Sequence, residues 1–194
     1  MKLDYLLLSC CAPCCVSVVE FLKRRGDLFA VVFYNPNIFP ESEYIKRRDE
    51  NKRVCDFFDV PFIEIPYDPE AWFDQIKGFE NCPERSERCS LCFQMRLRKL
   101  AEYAAAHQIK TISSVLGVSR YKDWNQVLEQ AKKAVQDLPV VYDQTPWRKG
   151  GLENRRAELI RQFQLYQQTY CGCVFSKKSS ERKPTQNLPN EPTE

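Results

Sequence analysis

The sequence has no apolar run approaching the roughly 18 to 20 residues that a membrane-crossing helix requires. Met1 to Leu8 carries Asp4 and lacks the long apolar region of a secretion leader, so a cytoplasmic protein with no membrane partner is expected. Excess charge is also scarce. The 29 basic and 26 acidic side chains leave +3, less than dedicated nucleic-acid binders usually carry, so any basic site must be local. Histidine is nearly absent, His107 being the single example. Ten cysteines in 194 residues fall below the roughly 8 to 10% of disulfide scaffolds, and a chain of this size does not need such staples. What is present, 43% hydrophobic, 12% aromatic and 28% charged residues, suffices for one globular domain with its own core.

Apolar periodicity divides the chain into alternating elements. Tyr5 to Leu8 reads as a strand, followed by a turn-like Ser9 to Pro13 and a helix carrying Val16, Val19, Phe21 and Leu22. Leu28 to Tyr34 is a second strand, closed by the proline- and asparagine-bearing "NPNIFP". A helix over 41–58, a strand over 61–65, a short helix over 69–76 and a polar loop over 78–88 follow. Further on, a helical stripe spans 89–108, strands are expected at 111–116 and 138–142, and helices at 125–135 and 153–168. Residues 1–176 are expected to form the ordered domain. The segment "KKSSERKPTQNLPNEPTE", 177–194, is too polar and proline-bearing to order itself and is expected to be a disordered tail. Strands alternating with helices predict an α/β fold: a single Rossmann-like domain with a parallel sheet flanked by helices. Function in such sheets sits beyond the carboxyl ends of the strands, where "SCCAPCC" lies.

The cysteines are grouped. Cys10, Cys11, Cys14 and Cys15 occupy the loop after the first strand; Cys89 and Cys92 are spaced by one helical turn; Cys171 and Cys173 flank a glycine. Cys55, isolated on an amphipathic helix, reads as a small core residue, and so does Cys15. Adjacent Cys10 and Cys11 are expected to point apart in an extended loop and to serve neighbouring centres. The remaining thiols, Cys10, Cys11, Cys14, Cys89, Cys92, Cys171 and Cys173, exceed one tetrahedral site. A structural zinc would use four of them, whereas an iron-sulfur cluster with an additional metal would use all.

Six ordered blocks carry a resemblance: "LLLSCCAPC", "YNPNIFPESEYIKRRDE", "ERCSLCFQMRL", "VLGVSRYKD", "WRKGG" and "LYQQTYCGCVFS". In these the chain resembles the cobalamin-independent epoxyqueuosine reductases. The resemblance implies a HUP-type variant of the Rossmann-like fold, with cysteines where related enzymes place a phosphate loop. It also implies a two-electron reductive removal of the epoxide oxygen of epoxyqueuosine at the wobble position of tRNA. The implied cofactors are a 4Fe-4S cluster and an additional mononuclear iron, and the implied partners are tRNA carrying epoxyqueuosine and an electron donor. Carried onto this chain, Cys10, Cys89, Cys92 and Cys171 would hold the cluster, and Cys11, Cys14 and Cys173 the iron. Cys15 is the fallback for Cys14, where some relatives have aspartate. Tyr34, Tyr170, a cysteine thiol and metal-bound water are candidate proton sources; His107 is expected to be a bystander.

Trp147, Arg148 and Lys149, with Gly150 and Gly151, form a basic aromatic loop suited to stacking on bases and contacting phosphate. Arg155 and Arg156 follow. Tyr34, Asn35, Asn37 and Tyr44 are expected at the same sheet edge as "SCCAPCC", where amides read base edges. Lys46, Arg47, Arg48, Lys52 and Arg53 read as a solvated basic face. Two rival readings remain open on the residues alone: a zinc-stabilised RNA-binding protein without catalysis, and a thiol-disulfide oxidoreductase working through Cys89 and Cys92.

Overall fold

A computed structural model describes residues 3–181, apart from the side chain of Glu181. The elements in chain order are β1 (Tyr5–Ser9), α1 (Ala12–Arg25), β2 (Phe29–Phe33), α2 (Glu41–Phe57), β3 (Phe62–Glu64), α3 (Pro69–Gln75), α4 (Glu87–Ala106), β4 (Thr111–Ser114), α5 (Trp124–Val135), β5 (Val141–Tyr142), α6 (Leu152–Gln162) and α7 (Val174–Glu181). The strands form one sheet in the order β3-β2-β1-β4-β5, and every neighbouring pair is parallel. This is the expected doubly wound α/β arrangement. Parallel strands need crossovers on the sheet faces, so central strands are covered on both sides and read as continuous apolar runs. β1 ("YLLLS") and β2 ("FAVVF") are accordingly buried along their whole length.

The chain winds outward from β1 through β2 to β3, then returns past β1 to place β4 on its other side. The strand order therefore reverses at the crevice between the carboxyl ends of β1 and β4, where the loops after them diverge. Helix α1 packs on α2 and α6, while α4 packs on α5. Among the described residues no helix is long and apolar enough to cross a membrane.

Several boundaries differ from the sequence-based expectation, among them strand β5, which covers Val141–Tyr142 where 138–142 was expected. Helix α6 ends at Gln162 instead of reaching 168, because Gln164 turns left-handed (φ 50°). The N–H of Leu165 then bonds back to the carbonyl of Ile160 at 3.0 Å and its side chain enters the core. Strand β4 stops at Ser114, and Leu116–Val118 forms a tight 3-10 turn. Trp124 packs so closely on Gly117 that a Cβ there would lie 2.2 Å from the indole ring. The segment from 177 is helical at its start: the Lys177 N–H bonds to the Cys173 carbonyl at 3.0 Å, and Ser176 accepts the Cys171 N–H at 2.9 Å. Residues 182–194 of the expected tail lie outside the described residues.

α1 and α6 are joined by charge as well as packing. The Arg155 guanidinium makes two bonds of 2.7 Å to the carboxylate of Glu20, which Arg24 also contacts at 3.1 Å. Hydrogen bonding from Arg155 holds the Glu20 carboxyl below its ordinary value of 4.5. A depressed carboxylate pKa contributes stability above the unfolded-state value and loses it as pH falls. Replacing Glu20 by Gln should therefore lower Tm by a few degrees at pH 7. Thermal unfolding across pH should show the gap from wild type closing as pH drops below 4.5.

Candidate metal centre and substrate cleft

β1 delivers the first thiol group. Ser9 ends the strand with its hydroxyl donating to Asn51 Oδ1 at 2.5 Å, and its carbonyl accepts from Asn35 Nδ2 at 2.9 Å. Arg96, from α4, donates to Asn35 Oδ1 and, at 3.2 Å, to the Tyr34 carbonyl. These bonds tie the ends of β1 and β2 to α2 and α4. Cys11 then caps α1 in an extended conformation, with Pro13 inside the first turn and no acidic side chain there. The positive end of the helix dipole thus meets the sulfurs of this loop, a setting that favours thiolate.

Cys10 and Cys11 do not point apart as expected: their sulfurs are 4.0 Å from one another. The turn into α1 folds the loop back, so Cys10, Cys11 and Cys14 interact mutually. The Cys10 thiol lies well below its ordinary value, chiefly through its hydrogen bonds with Cys11 and Cys14, with Lys122 and Arg96 adding to the effect. Cys11, hydrogen-bonded to Cys10, is pushed up to about 12. Cys14, hydrogen-bonded to both, is raised as well. Cys15 is buried, its thiol raised mainly by desolvation, and Cys55 has no solvent exposure. Both sit in the core.

The other two groups reach the same side of the molecule by different routes. Cys89 and Cys92 lie in the first turns of α4, whose amino end is at the carboxyl edge of the sheet. Cys171 and Cys173 lie on the 163–173 loop, which α2 holds. Arg47 is 1% exposed and donates to the carbonyls of Cys171 (3.0 Å) and Tyr170 (3.3 Å), while Glu43 binds its Nε at 2.7 Å. Between the two cysteines Gly172 takes φ +143°, and a Cβ there would press on Ile38, Arg47 and Asn37 at 3.2 to 3.3 Å. Arg47 was expected on a solvated face. It instead shares the buried stripe of α2 with Tyr44, Asn51 and Val54.

Cys92 and Cys173 share an apolar cluster with Trp72 and Ile76. Burial raises the thiols of Cys89, to about 11, of Cys92, and of Cys173, to about 12. Cys171 interacts electrostatically with each of these three and with Lys122, so the C-terminal pair, the α4 pair and the Cys10 neighbourhood are contiguous. Among the described residues no three Cys, His, Asp or Glu side chains converge on one metal position.

The surroundings of these thiols fit an anionic group. Lys122 is 8% exposed, Arg88 4% and Arg96 1%. Lys122 Nζ lies 3.7 Å from Cys10 Sγ. Arg88 donates to the carbonyls of Glu80 and Cys82 and lies over Phe175. With the carbonyl and amide partners of Arg96, none of these contacts is to a carboxylate among the described residues. Burying several uncompensated cations costs several kcal/mol each. Thiolates, or a thiolate-held group of net negative charge, would supply the missing counter-charge.

A cleft of about 510 Å³ opens onto Cys14 and is lined by Arg120, Tyr121, Arg148, Arg156 and Gln168. Gln168 Nε2 donates to Cys11 Sγ at 2.9 Å, and its Oε1 is buried without a partner. A second cleft of about 460 Å³ shares Arg120 and Arg148 with the first and adds Lys149, Trp124 and Trp147. A further hollow of about 450 Å³, near Lys23, Cys55 and Asp59, lies at the opposite edge of the sheet and contains none of the grouped thiols.

Several residues expected to meet RNA are turned inward. Tyr34, Asn35, Asn37 and Tyr44 are buried. Asn35 spends its amide on Ser9 and Arg96, and Tyr44 stacks on Tyr67 and donates to Glu64 at 2.7 Å. They build the edge and do not read bases. Trp147 is 3% exposed, its indole N–H donating to Ser113 at 3.1 Å. It anchors the loop whose exposed tip is Arg148, Lys149, Gly150 and Gly151. Tyr170 is buried and its hydroxyl donates to the Phe39 carbonyl. His107 stacks on Tyr103, about 27 Å along α4 from Cys89 at 1.5 Å per residue. Sequence reasoning did not single out Arg96, Lys122, Arg120, Tyr121 or Gln168. For Arg96 a signal was present: it falls at helical spacing among Phe93, Leu97 and Leu100 on the buried face of α4.

Residues 5–179 match the family described as "Epoxyqueuosine reductase QueH". A protein of that name from Haemophilus influenzae is 45% identical over 178 residues, covering 91% of this chain and 73% of its own. One from Acinetobacter baylyi is 42% identical over 181 residues, covering 92% and 83%. Among solved structures, an NH3-dependent NAD synthetase from Campylobacter jejuni superposes on 100% of this chain and 91% of its own. Its TM-score is 0.39 at 12% identity, too distant a likeness to carry an argument. The chain belongs to the epoxyqueuosine reductase QueH family.

Proposed function

We propose that the protein reduces epoxyqueuosine to queuosine at the wobble position of tRNA. Each turnover consumes two electrons and two protons, the carbon-oxygen bonds of the epoxide are replaced by an alkene, and the oxygen leaves as water. Cys10, Cys89, Cys92 and Cys171 are assigned to a 4Fe-4S cluster, and Cys11, Cys14 and Cys173 to an adjacent iron. Bound there, these groups would supply electrons singly and a Lewis-acidic position for the epoxide oxygen. The partners are the modified tRNA and an external electron donor.

The observation that carries this reading is the set of buried cations Lys122, Arg88 and Arg96 around thiols from three separate segments. Four thiolates about a doubly positive cluster core leave a net charge of about −2, which those cations would offset. Lys122 faces Cys10 and stabilises negative charge on the cluster side of the loop. Arg47 holds Cys171 through its carbonyl and so brings the C-terminal thiols to the other two groups. Gln168 sits at the mouth with its N–H on Cys11, and its buried oxygen has no partner among the described residues. The cleft at Cys14 has the volume of a small-ligand site and admits a nucleoside swung out of its strand.

Anaerobically purified protein should be brown and contain iron. Colourless protein with about one zinc per chain, binding RNA without reducing it, would sink the proposal. In single-turnover reduction of epoxyqueuosine tRNA, Cys11→Ala and Cys14→Ala should abolish product while the visible cluster absorption largely survives. Loss of that absorption in Cys14→Ala would refute the division of ligands. Lys122→Met should shift the cluster midpoint potential downward in a redox titration and Lys122→Arg should restore it, because removing a nearby positive charge disfavours the reduced, more negative state.

A further inference from the structure

Two clefts flank one pair of arginines. Arg120, on the loop between β4 and α5, and Arg148, on the loop between β5 and α6, line both the cleft at Cys14 and the neighbouring cleft at Trp124. Both residues are exposed, and so is Lys149. The two loops stand side by side because β4 and β5 are paired in parallel, and each is anchored from below. Trp147 donates to Ser113 beneath one, and Trp124 packs on Gly117 beneath the other.

The charge of the pair is available to a ligand. Arg120 contacts the Tyr121 hydroxyl at 3.1 Å, and neither it nor Lys149 meets a carboxylate among the described residues. Glu153 is committed to Arg156 and stands 3.7 Å from Arg148. Asp123 is occupied as the cap of α5, accepting the Gln126 N–H at 2.8 Å. The lip shared by the clefts is therefore net positive. Aromatic surface lies on either side of it: Tyr121, half-buried, in the Cys14 cleft, and Trp124, half-buried, in the other.

We propose that this double cleft is the docking site for two consecutive nucleotides of single-stranded RNA. The phosphodiester between them is gripped by Arg120 and Arg148, the nucleoside to be modified enters the Cys14 cleft beside Tyr121, and its neighbour lies against Trp124 with Lys149 on the next phosphate. Paired guanidinium groups suit phosphate oxygens, and aromatic faces stack on any base. A site that holds an adjacent nucleotide would favour a loop in RNA over a free nucleoside, since the second cleft would stay empty with the latter. The inference rests on the tRNA reductase reading above and adds the surface by which the RNA is held.

The test is fluorescence anisotropy with a labelled single-stranded RNA and the anaerobically purified protein, repeated over a range of KCl concentrations. Arg120→Ala and Arg148→Ala should each weaken binding roughly three- to tenfold and flatten the plot of log affinity against log salt by about 0.7. Lys52→Ala, on the distant exposed face of α2, should change neither quantity. Each variant's Tm checks its fold. If wild type binds while both arginine variants bind as tightly as it does, the docking site is refuted and the reductase reading stands. The docking site is refuted equally if Lys52→Ala alone weakens binding. Failure of wild type to bind this RNA would likewise refute the docking site, while the reductase reading is decided separately by the single-turnover reduction of epoxyqueuosine tRNA.

Discussion

The site is organised by positive charge buried without acidic partners. Lys122, Arg88 and Arg96 are withdrawn from water at the carboxyl edge of the sheet, and their contacts are to carbonyls, an amide and a thiol. In an interior of low polarity such groups are tolerable only beside something anionic. This requirement explains why cysteines from three distant stretches of the chain lie next to these cations. The Cys10 thiol is lowered first by its hydrogen bonds to Cys11 and Cys14 and then by Lys122 and Arg96, while the Cys11 and Cys14 thiols are raised.

The fold brings the groups together by topology. Reversal of strand order between β1 and β4 opens a crevice. The "SCCAPCC" loop lies on one side of it and the Arg120-Tyr121-Lys122 loop on the other. The amino end of α4 adds Cys89 and Cys92 from the same edge. The last pair arrives through a loop that has no regular structure to support it, and Arg47 supplies that support from inside α2. Polar residues at helical spacing on a buried face, Arg47 and Asn51 on α2 and Arg96 on α4, are thus the means by which helices grip the site's loops.

Much of this was legible in the residue order. The alternation of apolar elements predicts the parallel sheet, since β1 and β2 are short apolar runs bounded by turns. The clustering of thiols marks the candidate site, and Cys15 and Cys55 were separable from it as core residues. Misreadings arose where a residue's local context and its tertiary environment diverge. Asn35 and Tyr44 lie in a loop and a helix start rich in polar groups, yet the sheet edge closes over them. Trp147 belongs to a basic loop but is its anchor. Helix α6 stops early because the left-handed turn at Gln164 sends Leu165 into the core, an outcome that helical periodicity does not encode.

Composition and spacing by themselves determined that the chain forms one α/β domain and that most of its cysteines fall in three groups. Those properties follow from local hydrophobic patterning and from residue types. Which side chains face one another was decided only by the tertiary structure. The 4.0 Å approach of the Cys10 and Cys11 sulfurs, the lysine beside them and the arginine pair shared by two clefts depend on contacts between segments tens to more than a hundred residues apart. Burial, which turns an ordinary surface cation into one that must be neutralised, exists only once those segments are packed.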